Sequence, residues 1–389
     1  MNLLILSESL WPRGSGGELA TYLYAKYLCK GGIDVKVLVK DIVHCPEWAG
    51  LDCYNLKGFG AGKYFWLSAS SRTLVERLFR WSDVVYFTDL YDLIPLAKAM
   101  GKTTVAHLHS YFPSCPIGSH HTLRKNRECE PNGRECIKCI WNFEKAHLKS
   151  SKYAASSAFF NSITSDFFPF LLKNVDAIIF VSKAQRELFF KYFKTKVPSY
   201  VNYNPLPELS YLTIEGDGVG YFGGLSPLKG FDVLLQAWLN IHSRHQSSLF
   251  ATKMGQLSKS GALTKAGISS YQILDNSMLD NIYRGIRCVV FPSVWNEPLP
   301  YVVSEALLRG RFLVASRVGG VPELLDGLSG FFMVEPNDAN ALSAALDNVL
   351  SMSRLDAIEL GFKNRQEILR KFDNERITKG LIDILENIR

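Results

Sequence analysis

Two carboxylates eight positions apart, Glu297 and Glu305, lie in the segment 289–325, VVFPSVWNEPLPYVVSEALLRGRFLVASRVGGVPELL. A buried apolar run ends at Pro292, Glu297 follows in a loop, Pro300 suits a first helical turn and Gly310 suits the helix stop. One acid therefore sits on the loop before a helix and the other on the helix itself. A helix N-terminus offers unpaired N–H groups and a positive dipole end to a phosphate, and carboxylates accept hydrogen bonds from sugar hydroxyls. That pairing suits a sugar nucleotide, although an isolated pair of glutamates reads more simply as solvated charge. Lys229, just before Gly230 in YFGGLSPLKGFDVLLQAW (221–238), can bring an ammonium to a phosphate at a strand-to-helix turn; most lysines are plain surface charges. His109 ends an apolar run and shares its strand face with His107, which leaves a structural and a functional imidazole equally open. Cys115, Cys129, Cys136 and Cys139 include one C-x-x-C and hold the four thiolates of a structural zinc site at irregular spacing. Zinc, disulfides and free thiols stay open, with zinc ranked first because a cytoplasmic chain disfavours disulfides. Cys29, Cys45, Cys53 and Cys288 are scattered and read as small core residues.

The elements that must position these groups follow from periodicity. Short apolar runs at 3–7, 34–40, 84–88, 103–109, 177–182, 218–222, 288–292 and 312–316 alternate with helix-length amphipathic stretches such as 17–30. This is the pattern of βαβ units around parallel sheets, an α/β protein. The chain has 389 residues, enough for two domains or three small ones at roughly 150 residues each. Two prolines interrupt the pattern at 200–209, which sets domains at 1–202 and 203–372 with a closing helix at 373–389. Two doubly wound domains would face each other across a cleft at the ends of their sheets, where such folds bind ligands. A polar stretch at 111–149, holding the four clustered cysteines, reads as an insertion in the first domain.

Hydrophobic residues make up 47% and charged residues 21%, which excludes disorder and collagen-like repetition. No apolar run is long enough for a membrane span, and MNLLILSESLWP reads as a buried strand rather than a secretory signal. The expectation is a cytoplasmic protein, with peripheral attachment to the inner face of the membrane as an open addition. The formal charge of +7 is uneven: residues 1–200 carry 26 basic and 17 acidic side chains, net +9, and the remainder 18 and 20, net −2. Such a field favours an anionic partner on the first half, unless it is no more than a soluble basic surface. In 62–81, Phe65, Trp66, Phe79 and Trp81 mix with Lys63, Arg72, Arg77 and Arg80. That mixture fits an anionic membrane surface and a lipid-linked acceptor; the simpler alternative is an amphipathic helix packed on its own domain.

At this point the chain resembles a known family. EPLPYVVSE matches the Glu-x7-Glu motif of retaining glycosyltransferases of the GT-B fold, family 4, and SRVGGVPELL matches the Gly-Gly-x-Pro-Glu turn that follows it there. The 221–238 segment resembles the family's strand-loop-helix with its phosphate-binding lysine, and GSGGELATYL resembles its glycine-rich loop. The resemblance runs over nearly the whole chain in the expected order. It implies a nucleoside-diphosphate sugar donor, a glycan or lipid-linked acceptor, and no cofactor for catalysis. It also implies that Glu305 binds the donor ribose, that Glu297 holds the transferring sugar, and that Lys229 neutralises the diphosphate with the backbone amides of Gly16 and Gly17. His109 would contact the sugar.

Two departures stand out. Relatives often carry arginine where this chain has Gly224, so a second cation must come from elsewhere, and Arg13 is the candidate nearest in sequence to the glycine-rich loop. Pro298 and Pro300 have no N–H, leaving Leu299 and Tyr301 as donors after Glu297. No Asp-x-Asp pair is present, so a lysine and helix dipoles must do the neutralising. A nicotinamide oxidoreductase fails because the third glycine position is Leu19, even though Asp41 follows the next strand. A zinc-bearing nucleic-acid-binding protein leaves the two glutamates and Lys229 unused, so no nucleic-acid partner is expected. A sugar-nucleotide epimerase of the same fold shares the donor-site logic and is the nearer rival.

Overall fold

The computed structural model describes the chain except for residues 41–47, 49, 57–67, 113, 123–126, 130–132, 147–149, 165–166, 246 and 273–275. Asp41, Cys45, Lys63, Phe65 and Trp66 lie outside the described residues.

Short, continuous apolar runs bounded by glycine and polar turns form strands buried on both faces. In the first domain these are β1 (Asn2–Ser7), β2 (Asp34–Val39), β3 (Asp52–Asn55), β4 (Val84–Phe87) and β5 (Thr103–Leu108). A hairpin of β6 (His121–Thr122) and β7 (Arg127–Glu128) stands apart, after which β8 (Ala177–Phe180) and β9 (Ser199–Val201) complete the sheet. Its order is β3-β2-β1-β4-β5-β8-β9, with every pair parallel. The second domain repeats the plan with β10 (Gly218–Tyr221), β11 (Leu249–Ala251), β12 (Ile268–Ser270), β13 (Ile286–Phe291), β14 (Phe312–Ser316) and β15 (Phe331–Val334). That sheet runs β12-β11-β10-β13-β14-β15, again parallel throughout. Both sheets are doubly wound, as the alternating pattern predicts. No helix among the described residues is long and apolar enough to cross a membrane.

One apolar cluster joins the two domains. It runs from Leu3, Ile5 and Tyr86 in the first sheet through Leu206, Leu381 and Leu385 to Val289, Phe291 and Val303 in the second. The last helix, Asn374–Ile388, crosses back to the first domain, where Asn374 donates to Tyr27 Oη at 2.8 Å and Arg389 pairs with Asp83 at 3.4 Å. The excursion after β5 goes further than the polar composition of 111–149 indicates, because helices Gly133–Ala146 and Ser151–Thr164 pack on one another. The second of these is rich in alanine and phenylalanine, so the polar signal ends before the insertion does. In the described part of 62–81, helix Ala69–Trp81 turns Val75, Leu78 and Phe79 into the core and places Trp81 under the Lys36 ammonium, 4.2 Å from the ring centroid. Its two aromatic rings serve packing, and Arg72 and Arg80 pair with Glu76 along the outer face.

Gly230 fixes the most consequential turn. Its φ of +71° is left-handed, and a Cβ there would stand 1.9 Å from the carbonyl oxygen of Pro292, at the end of β13. Only glycine lets the β10 turn approach this closely, which is what sets Lys229 beside the loop after β13. Gly230→Ala is expected to destabilise the chain by about 1–3 kcal/mol, read as a lower urea midpoint with an unchanged slope. A midpoint equal to that of the parent chain would contradict the close approach.

Candidate active site

The loop between β13 and helix Tyr301–Leu308 carries Glu297, the first of the two candidate carboxylates. Glu297 is buried, 6% exposed. Its Oε1 accepts from Lys229 Nζ at 2.8 Å and from Ser293 Oγ at 2.8 Å. An ammonium and a hydroxyl on one carboxylate oxygen offset much of what the charge loses in leaving water. Lys229 keeps about a third of its side chain exposed and lies 5.7 Å from the centroid of the Trp295 ring. Sequence reasoning gave these two side chains separate tasks, and the structure pairs them.

Glu305 stands on the helix after that loop. Burial raises its carboxyl above the usual range, opposed by the charges of Arg309 and Lys253. Arg309 is engaged with Asp280 at 3.3 Å and its guanidinium lies 4.4 Å from the centroid of the Tyr283 ring. Among the described residues the Leu299 N–H makes no hydrogen bond, so it is free to donate beside Glu297. The Tyr301 hydroxyl donates to the Pro205 carbonyl at 3.0 Å, which ties this helix to the inter-domain segment.

The first domain delivers its glycine-rich loop to the same place. Helix Gly16–Lys30 begins after Ser15, whose N–H and Oγ both donate to Glu18 Oε2, at 2.6 and 2.9 Å. This capping leaves the first-turn amides of Gly16 and Gly17 at a helix N-terminus. A Cβ on Gly16 would stand 3.3 Å from the Tyr301 ring, and one on Gly17 would stand 3.4 Å from His109 Cβ. The two glycines thus fit between the second domain and His109. Both His109 ring nitrogens are buried without a hydrogen-bond partner. Burial pushes its imidazole down to about 4, so it is neutral at pH 7 and presents one donor and one acceptor. His107, 4.6 Å away between ring centroids, is held against the Tyr86 hydroxyl and reads as structural.

Several groups that sequence reasoning did not single out close the cleft. Glu323, in the Gly-Gly-x-Pro-Glu turn, accepts from the backbone amides of Lys183 and Ala184 at 3.0 and 2.8 Å and from the Tyr203 hydroxyl at 2.8 Å. It caps a helix of the first domain from the second, a favourable place for a carboxylate. Ser182 Oγ donates to the Pro298 carbonyl at 2.6 Å. From the insertion, Glu128 accepts from Asn296 at 3.2 Å, and the Tyr111 ring meets Trp295 edge-on at 6.3 Å. The hydroxyl of Tyr111 and the indole N–H of Trp295 are buried without partners. Glu323 belongs to a motif legible in the sequence, but its contact, like those of Ser182, Glu128 and Tyr111, joins distant parts of the chain and has no local signal.

The cysteines of the insertion gather without disulfides. Burial, then the neighbouring thiols of Cys115, Cys139 and Cys136, push the Cys129 thiol to about 12. Among the described residues no three His, Cys, Asp or Glu side chains are placed to hold a metal. Arg13 is exposed, and the side chain lying against Gly224 is Lys253 instead.

Residues 216–352 match the family of glycosyl transferases group 1. An uncharacterized glycosyltransferase of Methanocaldococcus jannaschii is 29% identical over 81% of this chain and 84% of its own length. Spore coat protein SA of Bacillus subtilis is 26% identical over 46% of this chain, and the match spans only about half of that relative, 52%. Anabaena HepE, solved in complex with UDP-glucose, superposes with a TM-score of 0.68 at 16% identity, covering 100% of both chains. The fold is GT-B.

The His109 environment has a consequence for acid stability. An unfolded imidazole titrates near 6.5 and the folded one near 4. Between those values the unfolded chain binds more protons, so this group makes stability fall as pH falls through the window. His109→Gln is expected to lose less stability than the parent between pH 6.5 and 4, measured by urea midpoints. Asp89, whose carboxyl burial raises to about 7, acts in the opposite sense but equally in both proteins. An acid slope unchanged by the substitution would contradict a buried neutral imidazole.

Proposed function

We propose, on the premise that this chain carries a group 1 glycosyl transferase domain on a GT-B frame, that it transfers a sugar from a nucleoside-diphosphate sugar to an acceptor hydroxyl with retention of configuration. The observation that carries the reading is the Lys229–Glu297 pair at 2.8 Å, set on the loop before the helix that bears Glu305 and contacts the Gly16–Gly17 loop. The second domain supplies the cation and the two carboxylates, and Tyr301 of the Glu305 helix lies beside Gly16 at the N-terminus of a first-domain helix. That set suits a ligand that is anionic at one end and polyhydroxylic at the other.

In this reading Glu305 accepts the ribose hydroxyls and Glu297 orients the sugar. The amides of Gly16, Gly17 and Leu299 and the Lys229 ammonium meet the diphosphate. The neutral His109 imidazole hydrogen-bonds a sugar hydroxyl. The acceptor oxygen attacks on the face the diphosphate leaves, and a phosphate oxygen takes its proton. The protein's contribution is then positioning and stabilisation of the leaving group's charge. The acceptor is a glycan or a lipid-linked glycan, the +9 first half favouring an anionic carrier.

A screen of UDP, GDP and ADP sugars by thermal shift identifies the donor, because a ligand that binds only the folded state raises its stability. With that donor, Glu297→Gln is expected to lower kcat about 10²-fold or more with a smaller change in KM. Glu305→Gln is expected to raise the donor KM by roughly tenfold or more. Unchanged turnover in both variants would refute the assignment, and conversion of the donor with no acceptor present would favour an epimerase.

A structural zinc in the insertion is a separate proposal, in which the metal would draw together the thiols of Cys115, Cys129, Cys136 and Cys139, which influence one another but do not stand in a ligating arrangement. Metal analysis of protein purified without added metal is expected to find about one zinc per chain. Its absence would end that proposal.

A further inference from the structure

Charge at the cleft does not balance on Lys229 alone. Its ammonium is matched by Glu297 at 2.8 Å, and Glu305 adds a second acidic side chain on the helix that follows the loop. Arg309, the other cation acting on Glu305, is buried and held by Asp280. A diphosphate whose charge grows as the sugar leaves would meet a site already neutral or negative, so a further cation is needed beside it.

Lys253 is placed to be that cation. β10 and β11 pair in parallel with Tyr221 opposite Ala251, and the Thr252 N–H donates to the Tyr221 carbonyl at 3.0 Å. This brings Lys253 to the turn that follows β10. Gly224 in that turn has φ of +74°, and a Cβ on it would stand 3.2 Å from Lys253 Cβ. The stem of Lys253 thus fills the space a side chain at 224 would enter. The same turn leads directly to Lys229, for the buried Tyr221 hydroxyl donates to the Gly224 carbonyl at 2.7 Å and lies 3.3 Å from the Lys229 carbonyl. One tyrosine therefore ties the Lys253 side of the turn to the Lys229 side. Lys253 is exposed, and its backbone takes the left-handed φ of +59°, a conformation that costs a non-glycine residue energy and clusters at functional sites. Its charge also reaches Glu305.

We infer that Lys253 is a second diphosphate-binding cation of this cleft, acting with Lys229 across the Gly224 turn. The inference rests on the donor reading above.

The test is isothermal titration of the full chain with UDP, GDP and ADP, and of the tightest-binding base with its monophosphate. Lys253→Ala is expected to weaken the diphosphate at least tenfold while the monophosphate weakens much less, and Lys253→Arg is expected to restore most of the loss. Equal weakening of both nucleotides would overturn the inference, since it would mean that Lys253 acts only through Glu305 and the ribose they share. Unchanged diphosphate affinity in a folded Lys253→Ala variant would also overturn it and leave the donor reading standing. Failure of the parent chain to bind any of the three diphosphates would overturn the donor reading and this role with it.

Discussion

A carboxylate held out of water against an ammonium is the constraint on which the rest of this structure depends. Glu297 is 6% exposed, and a buried charge persists only when it is paired and hydrogen-bonded. Lys229 and Ser293 meet both needs from opposite sides of one loop. Lys229 arrives because Gly230 permits a contact with Pro292 that no other residue allows. The two central strands of the second sheet, β10 and β13, are therefore joined at their C-terminal ends by charge as well as by backbone pairing. In an open parallel sheet that end is where ligands bind.

The same loop is where the domains meet. Pro298 accepts from Ser182, Asn296 donates to Glu128, and Trp295 packs on Tyr111. Glu323 lies one turn further on and caps a first-domain helix. A displacement of the Glu297 loop would disturb each of these contacts, so the surroundings of Glu297 and the contact between the domains are coupled through a single segment. Unpartnered polar groups collect along this seam, including both nitrogens of His109, the Tyr111 hydroxyl and the Trp295 indole N–H. Buried groups left without partners are costly, and a polyhydroxylic ligand is a natural partner for them.

What could be read from the sequence follows a physical division. The central strands β1, β2, β4, β5, β8, β10, β13 and β14 appear as apolar runs because helices cover both their faces. The remaining strands are not legible, since β3 (DCYN) and β12 (ISS) are partly polar, β9 and β11 have three residues each, and the edge strand β15 is only partly buried. Glu297, Glu305, Lys229 and the Gly16–Gly17 loop were legible because each sits in a strand-turn-helix unit whose signals lie within a dozen residues. Glu323, Glu128, Tyr111 and Lys253 act through neighbours far away in sequence, and Lys253 becomes visible only once β11 is known to lie beside β10. Of the aromatic and basic mixture at 62–81, Phe79 and Trp81 pack within their own domain, and Lys63, Phe65 and Trp66 lie outside the described residues.

The most direct measurement is a crystal structure of the chain with its nucleoside-diphosphate sugar. The account predicts the diphosphate between the two domains, with phosphate oxygens within about 3.2 Å of Lys229 Nζ and of the first-turn amides at Gly16 and Gly17, and the ribose on Glu305. A nucleotide bound away from this cleft, or in it with the diphosphate turned from Lys229, would contradict the account.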